Sequence, residues 1–190
     1  MKKSLLTVMA ACGICTGVFG AGRDLSVNSE KTGERPAVWK PVTWANVPGA
    51  ATLKIIETPD HIDGGKAVYW KVNETSPEKA PEYLGVMARP VVPVPGKKYK
   101  VTFWAKSSEN SVVSVTLWGF SKGMKKEFRV PNVFKITPEW KQFEFSYSVP
   151  SAAEDPVFAA NPWYQFAFDL FRDKNKDFTF KDVKIEEEKQ

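Results

Sequence analysis

The chain has 190 residues, of which 43% are apolar and 13% aromatic, and its formal net charge is +5. This length fits one domain of ordinary size, and the apolar content excludes an intrinsically disordered protein. Its 27 basic residues form no dense Arg/Lys stripe against 22 acidic ones, which argues against a nucleic-acid-binding protein.

The N-terminus has the pattern of a secretory signal peptide. Lys2 and Lys3 precede an apolar stretch at 5–19, and the small residues just before Ala21 are typical of a signal-peptide cleavage site. Residues 1–20 are therefore predicted to be a signal peptide, and the protein to be secreted or held in the periplasm or cell envelope. The apolar stretch is too short and too early for a membrane-spanning helix, so we do not expect the chain to span a membrane.

Both cysteines, Cys12 and Cys15, lie inside this segment. Cleavage before Ala21 would leave none, which excludes a disulfide scaffold, a thiol nucleophile and a cysteine metal site. It would also remove two lysines, leaving 25 of the 27 basic residues against 22 acidic ones, a net charge of +3. Lipoprotein processing at Cys12 is the alternative to free secretion.

The first part of the mature chain is predicted to hold a leader and four strands. Residues 21–36 are polar and unpatterned, which is typical of a flexible leader. Short runs of β-branched and aromatic residues, separated by turn formers, then indicate strands. We expect the fourth to stop at Pro90, because proline has no amide hydrogen to donate to a sheet. The four predicted strands are 37–44, 53–57, 66–73 and 83–89.

Residues 96–106 form the clearest predicted strand, because apolar and polar residues alternate along it. The exception is Trp104, which lies on the polar side between Thr102 and Lys106. Turning Trp104 into the core would turn all its neighbours outward. We therefore expect Trp104 to be covered by a loop, packed against a partner, or open to a ligand.

The rest of the chain continues as short strands, with no convincing helix longer than a turn or two. A bulge is predicted at Lys181-Asp182, where the spacing of apolar residues shifts by one. Many short strands at regular spacing indicate an all-β fold, a β-sandwich that forms a single domain over residues 37–187. The later predicted strands are 112–120, 127–134, 140–149, 163–171 and 178–185, with a loop at 150–162.

Four segments in sequence order carry a resemblance to a known family. They are DGGKAV at 63–68, PGKKYKVTFWAK at 95–106, ITPEWKQFEF at 136–145 and FKDVKI at 180–185. In their order and spacing they are similar to motifs of the jelly-roll carbohydrate-binding modules of families four and nine, within the galactose-binding-like superfamily. The resemblance implies a jelly-roll β-sandwich over nearly all of the mature chain and a poly- or oligosaccharide as partner.

Strand parity then predicts a sugar-binding surface. Sandwiches of this kind bind glycans through tryptophan faces that stack on sugar rings, beside polar groups that hydrogen-bond the hydroxyls. The alternative for Trp104 and Trp118 is that the N-terminal segment or a loop covers them, whereas Trp140 is expected in the core. If their strands share one sheet, the residues of this surface are Trp104, Trp118, Gln142, Glu144, Gln165 and Asp169, with Trp163 and Arg89 at the rim.

These features favour non-catalytic carbohydrate binding. The alternative is a structural or adhesive cell-envelope protein that binds a protein partner through the same face. A hydrolase is the third interpretation: Glu144 and Asp169 would be its carboxylate pair. The only histidine, His61, lies in a turn-rich loop between Asp60 and Asp63, where we expect a solvated turn residue rather than a general base.

We expect no cofactor other than a structural calcium, which the resemblance allows near the start and end of the sandwich. Asp182 occupies the corresponding position in the closing strand, and Asp60 and Asp63 supply further oxygens from a loop. A complete ligand set is not apparent in the sequence, so a calcium site at Asp182 stays an open expectation.

Overall fold

The computed structural model describes residues 23–42, 49, 51–73, 83–91, 94–120, 127–160, 163–171 and 177–189. Antiparallel strands form two sheets, and a short helix follows the ninth strand in the sequence, so the predicted all-β sandwich is confirmed. The strands are β1 (Arg23–Asp24), β2 (Trp39–Val42), β3 (Ala51–Glu57), β4 (Lys66–Val72), β5 (Tyr83–Val91), β6 (Lys98–Lys106), β7 (Ser111–Phe120), β8 (Glu127–Ile136), β9 (Lys141–Ser148), β10 (Trp163–Phe171) and β11 (Asp177–Glu187); the helix is α1 (Pro156–Ala160).

The two sheets divide the strands in a way that decides where the site can be. The first sheet has the order β3-β4-β11-β6-β9, with β1 paired to β11 beside this path. The second sheet has the order β2-β5-β10-β7-β8. Most strands adjacent in the sequence lie in different layers, as β6 and β7 do, whereas β3 pairs with β4 and β7 pairs with β8 within one sheet. Among the described residues, no helix is long and apolar enough to cross a membrane.

Aromatic rings from both sheets fill the space between the layers. Phe168 of the second sheet lies 4.5 Å from Phe180 and 5.0 Å from Phe103 of the first sheet, measured between ring centroids. Trp39 lies 4.7 Å from Phe180 and is fully buried, as is Trp70. The rings meet in edge-on and tilted arrangements, which favourably align their quadrupoles. This aromatic layer anchors the two sheets to each other.

The prediction of a flexible leader at 21–36 is wrong for the part that the structure describes. Leu25 and Val27 are 3% and 2% exposed and belong to the core. The Leu25 amide donates to the carbonyl of Val183 at 2.8 Å, and the backbones of Gly33 and Glu34 exchange hydrogen bonds with Ile55. Two apolar residues and main-chain hydrogen bonds hold this segment against the sandwich. The composition of a segment does not reveal such contacts.

Proline does not end β5 as predicted, because a bulge accommodates it. Ala88 pairs with Phe166 and Val91 pairs with Tyr164, so two residues of β5 lie opposite Gln165 alone. A residue in a bulge need not donate to the sheet, which is why Pro90 is tolerated.

The predicted bulge in β11 is confirmed. Lys181 pairs with Trp104 and Lys184 with Thr102, so Asp182 and Val183 together face one residue of β6. Asp182 has φ +51°, a left-handed conformation in which aspartate is one of the few tolerated residues other than glycine. The bulge returns Val183 to the core, where it is 1% exposed.

Candidate functional site

The residues predicted to form one sugar-binding surface belong to different sheets. Those on β6 and β9 lie in the first sheet, and those on β5, β7 and β10 lie in the second. The outer faces of a two-layer sandwich point in opposite directions, so the expected single surface is wrong. The first-sheet group is Trp104, Gln142 and Glu144; the second-sheet group is Arg89, Trp118, Trp163, Gln165 and Asp169.

This division also separates the carboxylate pair of the hydrolase interpretation. Glu144 lies on β9 of the first sheet and Asp169 on β10 of the second. A glycosidase needs its two carboxyl groups about 5–10 Å apart on either side of one sugar linkage. Strands of opposite layers with outward-facing positions do not provide that arrangement.

The first-sheet group lies side by side on neighbouring strands. Trp104 pairs with Gln142 on β9 and with Lys181 on β11, and Thr102 pairs with Glu144. Gln142 and Glu144 are exposed. The Glu144 carboxylate lies 2.7 Å from the ammonium of Lys100, and solvent-exposed ion pairs of this kind contribute little stability.

A loop covers Trp104, as the alternative interpretation anticipated. The ring of His61, from the loop at 58–65, lies edge-on to Trp104 at 4.8 Å and to Trp140 at 5.1 Å between centroids. His61 is only 4% exposed, so the expectation of a solvated turn residue is wrong. Trp140 is likewise not part of the inter-sheet core: it is partly buried on the outer side, with the Lys106 ammonium 5.2 Å from its ring centroid.

Hydrogen bonds within the loop hold His61 over Trp104. The Thr58 hydroxyl lies 3.0 Å from the carbonyl oxygen of Gly64 and 2.9 Å from that of Gly65. The Thr58 amide donates to Gly65 at 2.9 Å, and the Gly64 amide donates to the His61 carbonyl at 2.8 Å. Asp60 of the same loop pairs with the ammonium of Lys106 on β6. The loop is therefore closed by its own hydrogen bonds and tied to β6 through Lys106.

Lys181 lies below this loop with its side chain only 2% exposed. Its ammonium donates to the carbonyl of Gly64 and lies 3.3 Å from a carboxylate oxygen of Asp182. It is also 3.4 Å from Nδ1 of His61. Asn28 of the N-terminal segment contacts the other oxygen of Asp182 at 3.3 Å. Sequence reasoning missed Lys181, because lysine is rarely buried and no local pattern marks it.

The contacts of His61 define its protonation state. The amide of Asp63 donates to Nδ1 at 3.1 Å, so Nδ1 is an acceptor and the neutral ring carries its proton on Nε2. Burial, and then the positive charge of Lys181, lower the pKa of His61, while Asp63, Asp182 and Asp60 act in the opposite direction. The folded protein thus favours a neutral His61.

A pH-dependent stability follows from this lowered pKa. The unfolded chain binds the proton with a pKa of about 6.5, so acidification below that pH favours unfolding, and the stability is complete above it. Because His61 is the only histidine, urea unfolding between about pH 5.5 and 7.5 isolates its effect from groups with the reference pKa of a carboxyl, about 4. We expect the free energy of unfolding to fall with acidification in this range. The same slope in His61→Gln would assign the effect to another group.

Gly65 allows the loop to approach the N-terminal segment closely. Its φ is +83°, and a Cβ there would lie 3.0 Å from Oδ1 of Asn28 and 3.4 Å from the Lys181 ammonium. We expect Gly65→Ala to lower the free energy of unfolding by about 1 kcal/mol or more beyond the decrease caused by Gly33→Ala. Gly33 is the matched control, with φ +85° and no neighbour near the added atom. Equal losses in thermal or urea unfolding would show that the close approach is unimportant.

The second-sheet group is brought together by backbone register. Trp118 pairs with Gln165, and Asp169 pairs with Ser114 four strand positions further along. Arg89 lies in the bulge of β5 opposite Gln165, and Trp163 pairs with Phe120 at the end of β7. The side chains of Arg89, Trp118, Trp163, Gln165 and Asp169 lie outside the described part of the structure.

Two hydroxyl residues between these positions were not among the predicted site residues, although they share the side of the strand predicted for Trp118. Ser114 and Thr116 alternate along β7 with the core residues Val113 and Val115. Their oxygens are 3.5 Å apart, and both residues are buried. The Ser-Val-Thr alternation before Trp118 was the available signal.

The family resemblance is confirmed by comparison with known proteins. Residues 88–165, from the end of β5 to the start of β10, match the model of carbohydrate-binding-module families 4 and 9, described as "Carbohydrate binding domain". No curated protein is detectably similar to the chain in sequence.

Solved structures share the fold. The chain is similar to the CBM22-1 xylan-binding domain of Xyn10C from Paenibacillus barcinonensis, with TM-score 0.59 and 13% identity over 90% of this chain and 98% of that domain. It is also similar to the N-terminal cellulose-binding domain of β-1,4-glucanase C from Cellulomonas fimi, with TM-score 0.55 and 18% identity over 83% and 93%. At such identities the likeness establishes the jelly-roll sandwich alone.

Another similar structure is the enzymatically active domain of tailspike protein 4 of bacteriophage CBA120, with TM-score 0.61 and 11% identity. The match covers 86% of this chain but only 20% of the tailspike domain. The sandwich is therefore one part of a larger protein in that case.

Proposed function

We propose that this chain, whose central segment matches a carbohydrate-binding domain family, is a secreted, non-catalytic module that binds a poly- or oligosaccharide on the outer face of its second sheet. The observation that carries the proposal is the direct cross-strand pairing of Trp118 with Gln165. An aromatic ring beside an amide is the combination that sugar recognition requires.

The register supports two different roles for the residues of the second-sheet group. Trp118 and Trp163 would offer ring faces to the apolar faces of sugars, and stacking buries surface that water otherwise covers. Gln165, Asp169 and Arg89 would hydrogen-bond the hydroxyls. Since each such bond replaces one with water, its net contribution is about 1 kcal/mol, and it acts chiefly on orientation and specificity.

The alternation of β7 and β10 supports the choice of face. Val113, Val115, Phe166 and Phe168 are buried between the sheets. Trp118 and Gln165 have the opposite parity to these core residues, which supports the proposed face, although Thr116 and Ala167 of the same parity are themselves buried.

The first sheet is less suited to stacking. Its Trp104 is partly buried under His61, whose ring edge lies against it. Its Glu144 already has an ammonium partner in Lys100. We therefore assign the first-sheet aromatic cluster to holding the loop at 58–65 rather than to sugar binding.

A glycan array tests the proposal with the chain from residue 21 onward. Xylan and cellulose oligosaccharides are the first probes, because domains of similar fold are named for binding those polymers. A reproducible signal from one glycan class is the expected result. A blank array from a protein shown to be folded by circular dichroism would contradict the proposal and favour binding of a protein partner by the same face.

A further inference from the structure

Three separate parts of the chain meet around one buried cation. The N-terminal segment supplies Asn28, the loop at 58–65 supplies the carbonyl of Gly64, and the β11 bulge supplies Asp182. The group at their junction is the ammonium of Lys181, whose side chain is 2% exposed. These are the start and the end of the sandwich, where the family resemblance places a structural calcium.

The residues at this junction do not fit calcium. Calcium takes six to eight oxygen ligands, usually with several carboxylates among them. Here Asp182 is the carboxylate in contact with Lys181, and Asn28 turns its Nδ2 donor toward Asp182 while its Oδ1 accepts a hydrogen bond from the Lys66 amide at 3.0 Å. Within the described ranges, no group of three or more His, Cys, Asp or Glu residues could hold a metal ion. Asp182 as a calcium ligand is therefore not supported.

The charges explain why lysine fits instead. A single ammonium balances the single carboxylate of Asp182, whereas a divalent ion would leave excess positive charge in a buried place. The ammonium donates to the Gly64 carbonyl and pairs with Asp182, and it lies 3.4 Å from Nδ1 of His61, which already accepts the Asp63 amide. A cation at this point would have to displace Lys181 from Gly64 and Asp182.

We propose that the Lys181 ammonium is a built-in substitute for a structural metal, so that the sandwich closes without calcium. It ties the loop at 58–65 to the β11 bulge, and through Asp182 it reaches Asn28 of the N-terminal segment. Lys181→Asp, which places a second carboxylate beside Asp182 and removes the ammonium, converts the junction into a calcium site.

The test is thermal unfolding of the protein in calcium and in chelator. The wild type is expected to unfold at the same temperature in both conditions. Lys181→Asp is expected to unfold at a lower temperature in chelator and to gain about 5–10 °C when free calcium exceeds its Kd by about a hundredfold. Isothermal titration with calcium should show binding to Lys181→Asp and none to the wild type.

Lys181→Met is the matched control, because it keeps most of the side-chain length and removes the charge without adding a ligand. It is expected to lower the unfolding temperature in both conditions, with no response to calcium. Stabilisation of the wild type by calcium, or a Lys181→Met protein as stable as the wild type, would overturn the proposal. A folded Lys181→Asp protein that ignores calcium would also overturn it. If Lys181→Asp does not fold in either condition, the calcium response of the wild type and the stability of Lys181→Met still test the proposal.

Discussion

Trp118→Ala should weaken binding to the recognised glycan by about thirtyfold or more, the loss typical of a central tryptophan in a binding surface. Trp104→Ala should leave the affinity nearly unchanged, although both tryptophans occupy polar sides of their strands. The reason is that Trp118 is on β7 of the second sheet, in register with Gln165, whereas Trp104 is on β6 of the first sheet under His61.

Affinity gel electrophoresis or calorimetry with the array-positive glycan measures the two variants side by side. Circular dichroism and thermal unfolding of each variant separate lost binding from lost folding. The opposite pattern, with binding lost in Trp104→Ala and kept in Trp118→Ala, would place the glycan on the first sheet. Equal binding by both variants would show that neither tryptophan takes part.

Trp39→Ala should destabilise the fold by about 3–5 kcal/mol, the usual cost of truncating a large buried aromatic residue. Trp39 is fully buried and lies within 6.2 Å of the rings of Phe166, Phe168 and Phe180, between centroids. Its indole N–H also donates to the carbonyl of Leu25 at 3.1 Å, so the same side chain holds the N-terminal segment.

Urea unfolding measures this loss, and Trp39→Phe is the matched control. Phenylalanine keeps a ring in the core but gives up the hydrogen bond and part of the volume, so we expect a smaller loss than in Trp39→Ala. Limited proteolysis should cut both variants more readily near Leu25. A loss below about 1 kcal/mol in Trp39→Ala would contradict the packing described here, since core truncations rarely cost so little.

The sequence alone was sufficient to predict every strand but β1, and the core-facing side of most of them. Alternation along β6 identified Val101 and Phe103 as core, and both are fully buried. Period-two patterns are local: each strand presents one face to a core wherever that core is, so the prediction needs no partner. The parity shift at Lys181-Asp182 revealed the β11 bulge for the same reason.

Which strands share a sheet was decided by the tertiary structure. Trp104 and Trp118 have the same local pattern of an indole among polar residues, yet β6 and β7 lie in opposite layers. Parity states which side of a strand faces the core but not which layer the strand joins, and in a jelly roll successive strands cross between layers. The expected surface therefore separated into two groups.

The sequence by itself determined an all-β chain with an aromatic core and the similarity to a carbohydrate-binding family. Only the tertiary structure decided that Leu25 enters the core, that His61 covers Trp104 and that Lys181 is buried. The physical reason is that these outcomes depend on partners far away in the chain. A lysine is buried only where acceptors such as Gly64 and Asp182 converge on it, and that convergence is a property of the fold rather than of any local pattern.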